Sequence, residues 1–158
     1  MDAQERERLE RIYRDTRTIA VVGASSDPGK AAHRIPAYLQ EQGYRIVPVN
    51  PRGGELFGEP VARSLGEVGG PVDVVDVFRP AEEAPEIARQ AVAAGARVLW
   101  LQLGITSEEA RRIAEDGGLT VVMDRCMGAT HKQLGLGPLT ATAWSEEDLR
   151  HDRHRAQP

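Results

Sequence analysis

Thr18-Ile19-Ala20-Val21-Val22-Gly23-Ala24-Ser25-Ser26-Asp27-Pro28-Gly29-Lys30 is the stretch that decides the fold. Its apolar run, Ile19 to Val22, stops at Gly23, and a loop of small and turn-forming residues leads into a helical pattern that begins near Ala32. A buried strand, a tight turn and a helix start bring unpaired main-chain N–H groups and the positive end of a helix dipole to one point. Doubly wound α/β proteins bind phosphate at that point. The loop predicts a phosphate-bearing ligand and leaves its identity open.

Working outward, the same alternation repeats along the chain. A charged segment, residues 3–15, carries Leu9, Ile12 and Tyr13 at helical spacing and reads as a lead-in helix. Strand one (18–22) is followed by a helix over 32–42, where Pro36 is tolerated only in the first turn or forces a kink. Strand two (44–49) closes at Asn50-Pro51, and Gly-rich residues 52–59 read as loop. A short turn near 61–65 stands where a full crossover helix is expected. Strand three (72–78), a helix (81–94), strand four (97–101), a helix capped by Thr106 with Glu109, strand five (119–123) and a last helix (126–134) complete the series. Short apolar strands alternating with helices predict an α/β fold: a Rossmann-like, doubly wound, five-stranded parallel sheet of order 3-2-1-4-5 in a single domain. Helices on both faces account for strands that are near-continuously Val, Ile and Leu. The domain is expected over residues 1–140. The polar segment 141–158, with Trp144 and Leu149 its only large apolar residues, is expected to be a mobile tail.

Composition narrows the function classes. The chain has 158 residues, 20 basic and 24 acidic, for a net charge of −4. That balance shows no basic stripe and argues against a nucleic-acid partner. One cysteine excludes an intrachain disulfide and agrees with a cytoplasmic protein. No signal-peptide pattern or spanning apolar run is present, so no membrane partner is expected. Apolar residues on the lead-in helix leave a homo-oligomer open.

Three kinds of phosphate loop can be compared with residues 23–31. A Walker A loop needs four residues between its glycine and Gly-Lys-Ser/Thr; here five separate Gly23 from Gly29-Lys30, and Ala31 replaces the hydroxyl residue. The dinucleotide fingerprint keeps only its first glycine, because Ser25 and Pro28 occupy the other two positions. An NAD(P) site also wants an acid at the end of strand two, where Asn50 stands. The third option rests on five motifs in order: Val22-Gly23-Ala24-Ser25 with Pro28; Gly43-Tyr44 with Pro48-Val49-Asn50-Pro51; Asp76-Val77-Phe78-Arg79-Pro80; Trp100-Leu101-Gln102 with Gly104-Ile105; and Asp124-Arg125-Cys126. Over about residues 15–135 the chain resembles the small stand-alone CoA-binding proteins, which are similar to the CoA-binding domain of the succinyl-CoA synthetase α-subunit.

That resemblance implies coenzyme A or an acyl-CoA as the ligand, bound without catalysis at the strands' C-terminal ends. It implies that Gly23 makes the turn and that the amides of Ala24, Ser25 and Ser26 meet the diphosphate. Lys30, or Arg34, would neutralise a phosphate oxygen. Asn50 and Pro51 would border the adenosine, Phe78 would offer an apolar wall, and Arg79 would reach a phosphate. Gln102, Gly104 and Ile105 would flank the pantetheine arm. Plainer readings stand beside these: turn chemistry for Ser25 and Ser26, a solvated Lys30, a strand-ending turn at Asn50-Pro51, and Arg79 paired with Glu82 or Glu83. Cys126 and His131 stand five apart, off one helical face, and no catalytic residue or metal site is assigned. An NAD(P)-binding redox enzyme or sensor on the same fold is the alternative function.

Overall fold

The structure is a computed structural model that describes residues 1–140; the expected tail, with Trp144 and Leu149, lies outside them. In chain order the elements are α1 (Ala3–Asp15), β1 (Thr18–Val22), α2 (Ala31–Glu41) and β2 (Arg45–Val49), then a small hairpin of β3 (Glu55–Leu56) and β4 (Glu59–Pro60). They continue with β5 (Val74–Val77), α3 (Ala84–Ala93), β6 (Val98–Leu101), α4 (Glu108–Asp116), β7 (Thr120–Val122) and α5 (Met127–Leu134). Among the described residues no helix is long and apolar enough to cross a membrane.

Side chains alternate across the strands and divide the core into two layers. Ala20, Val75, Val77, Leu99, Leu101 and Val121 face the small residues of α3 and α4, among them Ala88, Ala91, Ala110 and Ala114. Ile19, Val21, Ile46, Val74, Trp100 and Val122 face α1, α2 and α5. Leu9, Ile12 and Tyr13 are buried here, so the chain's own body covers the apolar face of α1. Tyr13 is the hub of this layer. Its hydroxyl donates to the Met127 carbonyl (2.5 Å), and its ring meets Tyr44, Trp100 and His131 edge-on. Burial pushes its phenol far up and holds it protonated.

The five-stranded sheet is parallel throughout, and its order is β2-β1-β5-β6-β7. The doubly wound class is as expected, but the third long strand lies beside β1 instead of outside β2: the order is 2-1-3-4-5, not 3-2-1-4-5. Two local features enforce this. Pro48 has no N–H for a second neighbour, which confines its strand to an edge. The outer edge of β2 is taken by the returning chain, with Ala62 N–H on the Pro48 carbonyl (3.0 Å) and Asn50 N–H on the Ala62 carbonyl (2.9 Å). Between β2 and β5 the chain forms only the small hairpin and a single 3-10 turn, Leu65–Glu67, before it returns to the sheet. There the Asp73 carboxylate accepts from the N–H groups of Arg17 (2.9 Å) and Thr18 (3.0 Å), setting β5 against β1.

Two smaller differences are local. The cap of α4 is Ser107, whose hydroxyl accepts from Ala110 N–H (3.1 Å), one residue after the Thr106 expected from spacing. Pro36 lies in the second turn of α2, beyond the first turn where it is readily accommodated, and the helix runs on past it.

One carboxyl is sealed in the sheet. Asp76 on β5 is fully buried; Gln102 Nε2 donates to its Oδ1 (2.5 Å), and its Oδ2 has no partner among the described residues. Burial pushes its pKa up to about 7, against the Gln102 hydrogen bond, which favours the charged form. Below the ordinary carboxylate value of 3.8 the group is neutral in both folded and unfolded chains. As pH rises from there to about 7, the folded chain keeps a proton that the unfolded chain releases, so stability falls across this window and levels above it. Asp76→Asn should abolish this slope and raise stability at pH 8 by a few kcal/mol relative to the wild type. Urea unfolding of both chains at pH 5 and pH 8 measures it, and parallel curves would refute it.

Candidate functional site

At the C-terminal ends of β1, β2 and β5 lies a cleft of about 650 Å³, lined by the loop after β1, the start of α2, residues 50–56, and Phe78, Arg79 and Glu83. In a sheet of this order the winding reverses between β1 and β5, and ligands of doubly wound proteins lie at such a reversal.

The floor is built by main-chain geometry. Gly23 sits at φ +91° with its N–H on the Val49 carbonyl (2.9 Å), and a Cβ there would meet the Phe78 carbonyl at 2.8 Å. Only glycine lets the chain leave β1 at this angle and this close to β5. Because Pro36 lacks an N–H, the carbonyl of Ala32 has no helical donor, and it accepts instead from Ser25 N–H (3.2 Å). The Ser25 hydroxyl accepts from Asp27 N–H (3.0 Å), and Asp27 Oδ1 from Gly29 N–H (2.8 Å). Of the amides expected to face a diphosphate, that of Ser25 is therefore turned inward, whereas those of Ala24 and Ser26 have no partner among the described residues. Lys30 is the N-cap of α2 and supplies no side-chain cap, so the N–H groups of Ala31 and Ala32 are also left over. An α-helix start without an internal acceptor favours an anion.

Asn50 serves the loop more than it faces the cleft. Its Nδ2 donates to the Ala24 carbonyl (2.7 Å), and its Oδ1 accepts from Arg52 N–H (2.8 Å). One donor and one acceptor position of the amide are engaged within the chain, and a carboxamide has no pair of carboxylate oxygens to grip a ribose diol. Pro51 and Phe78 line the cleft. Arg79 has its stem against Gly23 and its guanidinium on Glu83 (2.7 Å), the ion pair that sequence spacing offered as its plainer role. Arg34 donates to the Gly29 carbonyl.

Gln102, Gly104 and Ile105 are not brought to this cleft. They follow β6, one strand beyond the reversal, and the sheet order is the reason. Gln102 is buried between Asp76 and Met127 N–H, Gly104 N–H donates to Asp124 Oδ1 (2.6 Å), and Ile105 packs on the α3–α4 layer. Cys126 caps α5, its Sγ accepting from Ala129 N–H (3.4 Å). His131 is buried with Nδ1 on the Tyr38 hydroxyl (2.7 Å), and burial lowers its pKa. Spacing did not single out Arg52, Gly53, Gly54, Glu55 and Leu56, yet all line the cleft. The signal was present in Gly53-Gly54, both at positive φ, which let the segment fold back over the loop.

Unengaged amides, an uncapped helix start and nearby cations around a reversal point define a doubly wound protein that holds a diphosphate-bearing nucleotide. Comparison with known proteins gives the particular family: the CoA binding domain model matches residues 17–132, and the chain belongs to that family. The uncharacterized protein YneT of Bacillus subtilis is 38% identical over 123 residues, covering 78% of this chain and 91% of that one. The α-subunit of the ADP-forming acetate–CoA ligase II of Pyrococcus furiosus is 30% identical over 131 residues, 75% of this chain but 29% of the subunit. The chain thus spans under a third of that ligase subunit. Among solved structures, cell-free ID.343 from Thermus thermophilus superposes with a TM-score of 0.79 at 42% identity, covering 85% of this chain and 99% of that one. A hypothetical protein of Pyrococcus horikoshii OT3 gives 0.80 at 36% identity, covering 84% and 92%.

The two hydrogen bonds of Asn50 generate a test. Asn50→Asp keeps an acceptor for Arg52 N–H but sets a carboxylate oxygen against the Ala24 carbonyl, where a donor stood. The expected outcome is a loss of about 1–3 kcal/mol in stability with no gain of NAD affinity. Denaturant unfolding and NAD titration read the two effects separately.

Proposed function

We propose that this protein binds coenzyme A or an acyl-CoA reversibly, as a carrier or sensor rather than as a catalyst of its conversion. The observation that carries the reading is the set of unengaged N–H groups at Ala24, Ser26 and the start of α2, facing a cleft of about 650 Å³. That volume is within the range of about 300–1,000 Å³ usual for cofactor sites. These donors match a diphosphate. Lys30 and Arg52 line the same cleft, and no ion-pair partner is found for either among the described residues. A cofactor with two separate anionic centres, the diphosphate and the ribose 3′-phosphate, gives both cations a counter-charge. Phe78 and Leu56 supply apolar walls.

The NAD(P) reading is weakened by one observation: the residue where the ribose-binding acid belongs is Asn50, which already bonds Ala24 and Arg52 and has no carboxylate to accept from both ribose hydroxyls. Thermal shift and calorimetry with CoA, acetyl-CoA, dephospho-CoA, NAD and NADP test the choice. CoA at 100 times its Kd should stabilise the fold by about 2.7 kcal/mol. Arg52→Gln should weaken CoA by about tenfold and flatten its salt dependence. Stabilisation by NAD without any by CoA would reverse the assignment.

A further inference from the structure

His33, in the first turn of α2, places its Nδ1 2.7 Å from the Ser25 carbonyl. A carbonyl only accepts, so Nδ1 carries the proton. All peptide bonds of the loop are trans, and in a trans peptide the C=O and the following N–H point in opposite directions. Holding the Ser25 carbonyl toward α2 therefore turns the Ser26 N–H the other way. That N–H has no partner among the described residues, and Ser26 lines the cleft. With Ser25 N–H on the Ala32 carbonyl, both main-chain groups of Ser25 are tied to the first turn of α2.

The other side of the imidazole meets the hairpin. The Phe57 ring lies 5.0 Å from it, inclined at 37°. Phe57 and Gly58 are the two loop residues between β3 and β4, with φ of +56° and +77°. Such a turn favours Asn or Gly at its first position, and a bulky aromatic at positive φ is strained there. Gln40 of α2 fixes the turn by donating to the Phe57 carbonyl (2.8 Å). The strained residue thus keeps its ring on His33, and the hairpin's leading strand, Glu55–Leu56, walls the cleft.

We infer that His33 is a positioning residue, steadied by Phe57, that orients the Ser25–Ser26 peptide so that Ser26 N–H is presented to a diphosphate. The inference rests on the assignment of the cleft to CoA. The hairpin acts through the histidine and not by touching the phosphates.

Three variants separate this from a structural stack. His33→Phe keeps a ring against Phe57 and removes the donor. His33→Asn places an amide nitrogen where Nδ1 stood and restores the donor. Phe57→Asn relieves the turn and removes the ring. CoA and ADP, which share the diphosphate, are titrated by calorimetry, and the Ser26 amide is followed by NMR on addition of pyrophosphate. His33→Phe should weaken CoA and ADP alike by about tenfold and lose the Ser26 shift. His33→Asn should remain within about threefold of the wild type. Phe57→Asn gives up the ring's packing as it relieves the turn, and it should weaken CoA and ADP alike and diminish the Ser26 shift, effects that a purely structural role does not produce. Wild-type affinity in His33→Phe, or an equal loss in His33→Asn, overturns the inference. CoA binding without any Ser26 shift in the wild type also overturns it and leaves the CoA assignment standing; absence of CoA binding defeats both.

Discussion

Pro36 brings no N–H to α2, and the carbonyl one turn earlier, on Ala32, is left facing the loop after β1. Ala32 is half-buried, and a carbonyl drawn partly out of water without a donor is costly. Ser25 N–H satisfies it, and much of the site follows from that bond. The loop is drawn against the helix that succeeds it, Ser25 is removed from the set of free donors, and Ala24 and Ser26 on either side are left to face outward. A defect in helical hydrogen bonding thereby becomes the anchor of a main-chain anion cradle. Asn50, just after β2, and His33 from α2 hold the two peptide planes that flank the same serine.

The elements were largely legible because each strand is a short apolar run bounded by turn residues, and each boundary fell within a few residues of its place. Topology was less so. Pro48 in the middle of β2 carried the information that this strand has one neighbour, since an order with β2 inside the sheet would ask it for a ladder bond it lacks. That constraint moves β5 to the centre, where all four of its residues are buried. It also moves the winding reversal to β1 and β5. Phe78 and Arg79 consequently sit at the cleft, while Gln102, Gly104 and Ile105 sit one strand away.

Within the site, the sequence disclosed the positions where a backbone must come close, Gly23 above all, because glycine there answers a steric demand. It did not disclose which donors remain unengaged. That depends on hydrogen bonds between residues distant in sequence, such as Asn50 to Ala24, or on a helix irregularity felt several residues away. The β3–β4 hairpin read as loop because two-residue strands have no room for alternation, and because its turn opens with Phe57 where Asn or Gly is usual. Asp76 entered only as the first residue of the third motif, because its burial and its pairing with Gln102 depend on the register between β5 and β6.

The returning chain at Ala62 has a consequence beyond the strand order. An exposed parallel strand offers a row of N–H and C=O groups on which another polypeptide can template itself. Here one margin of the sheet is blunted by a proline and a bridging residue, and the opposite margin is a strand of three residues, Thr120–Val122. A sheet that terminates itself on both sides can be carried inside a longer polypeptide without recruiting that polypeptide's strands. Matching units make up most of one small relative and under a third of a ligase subunit.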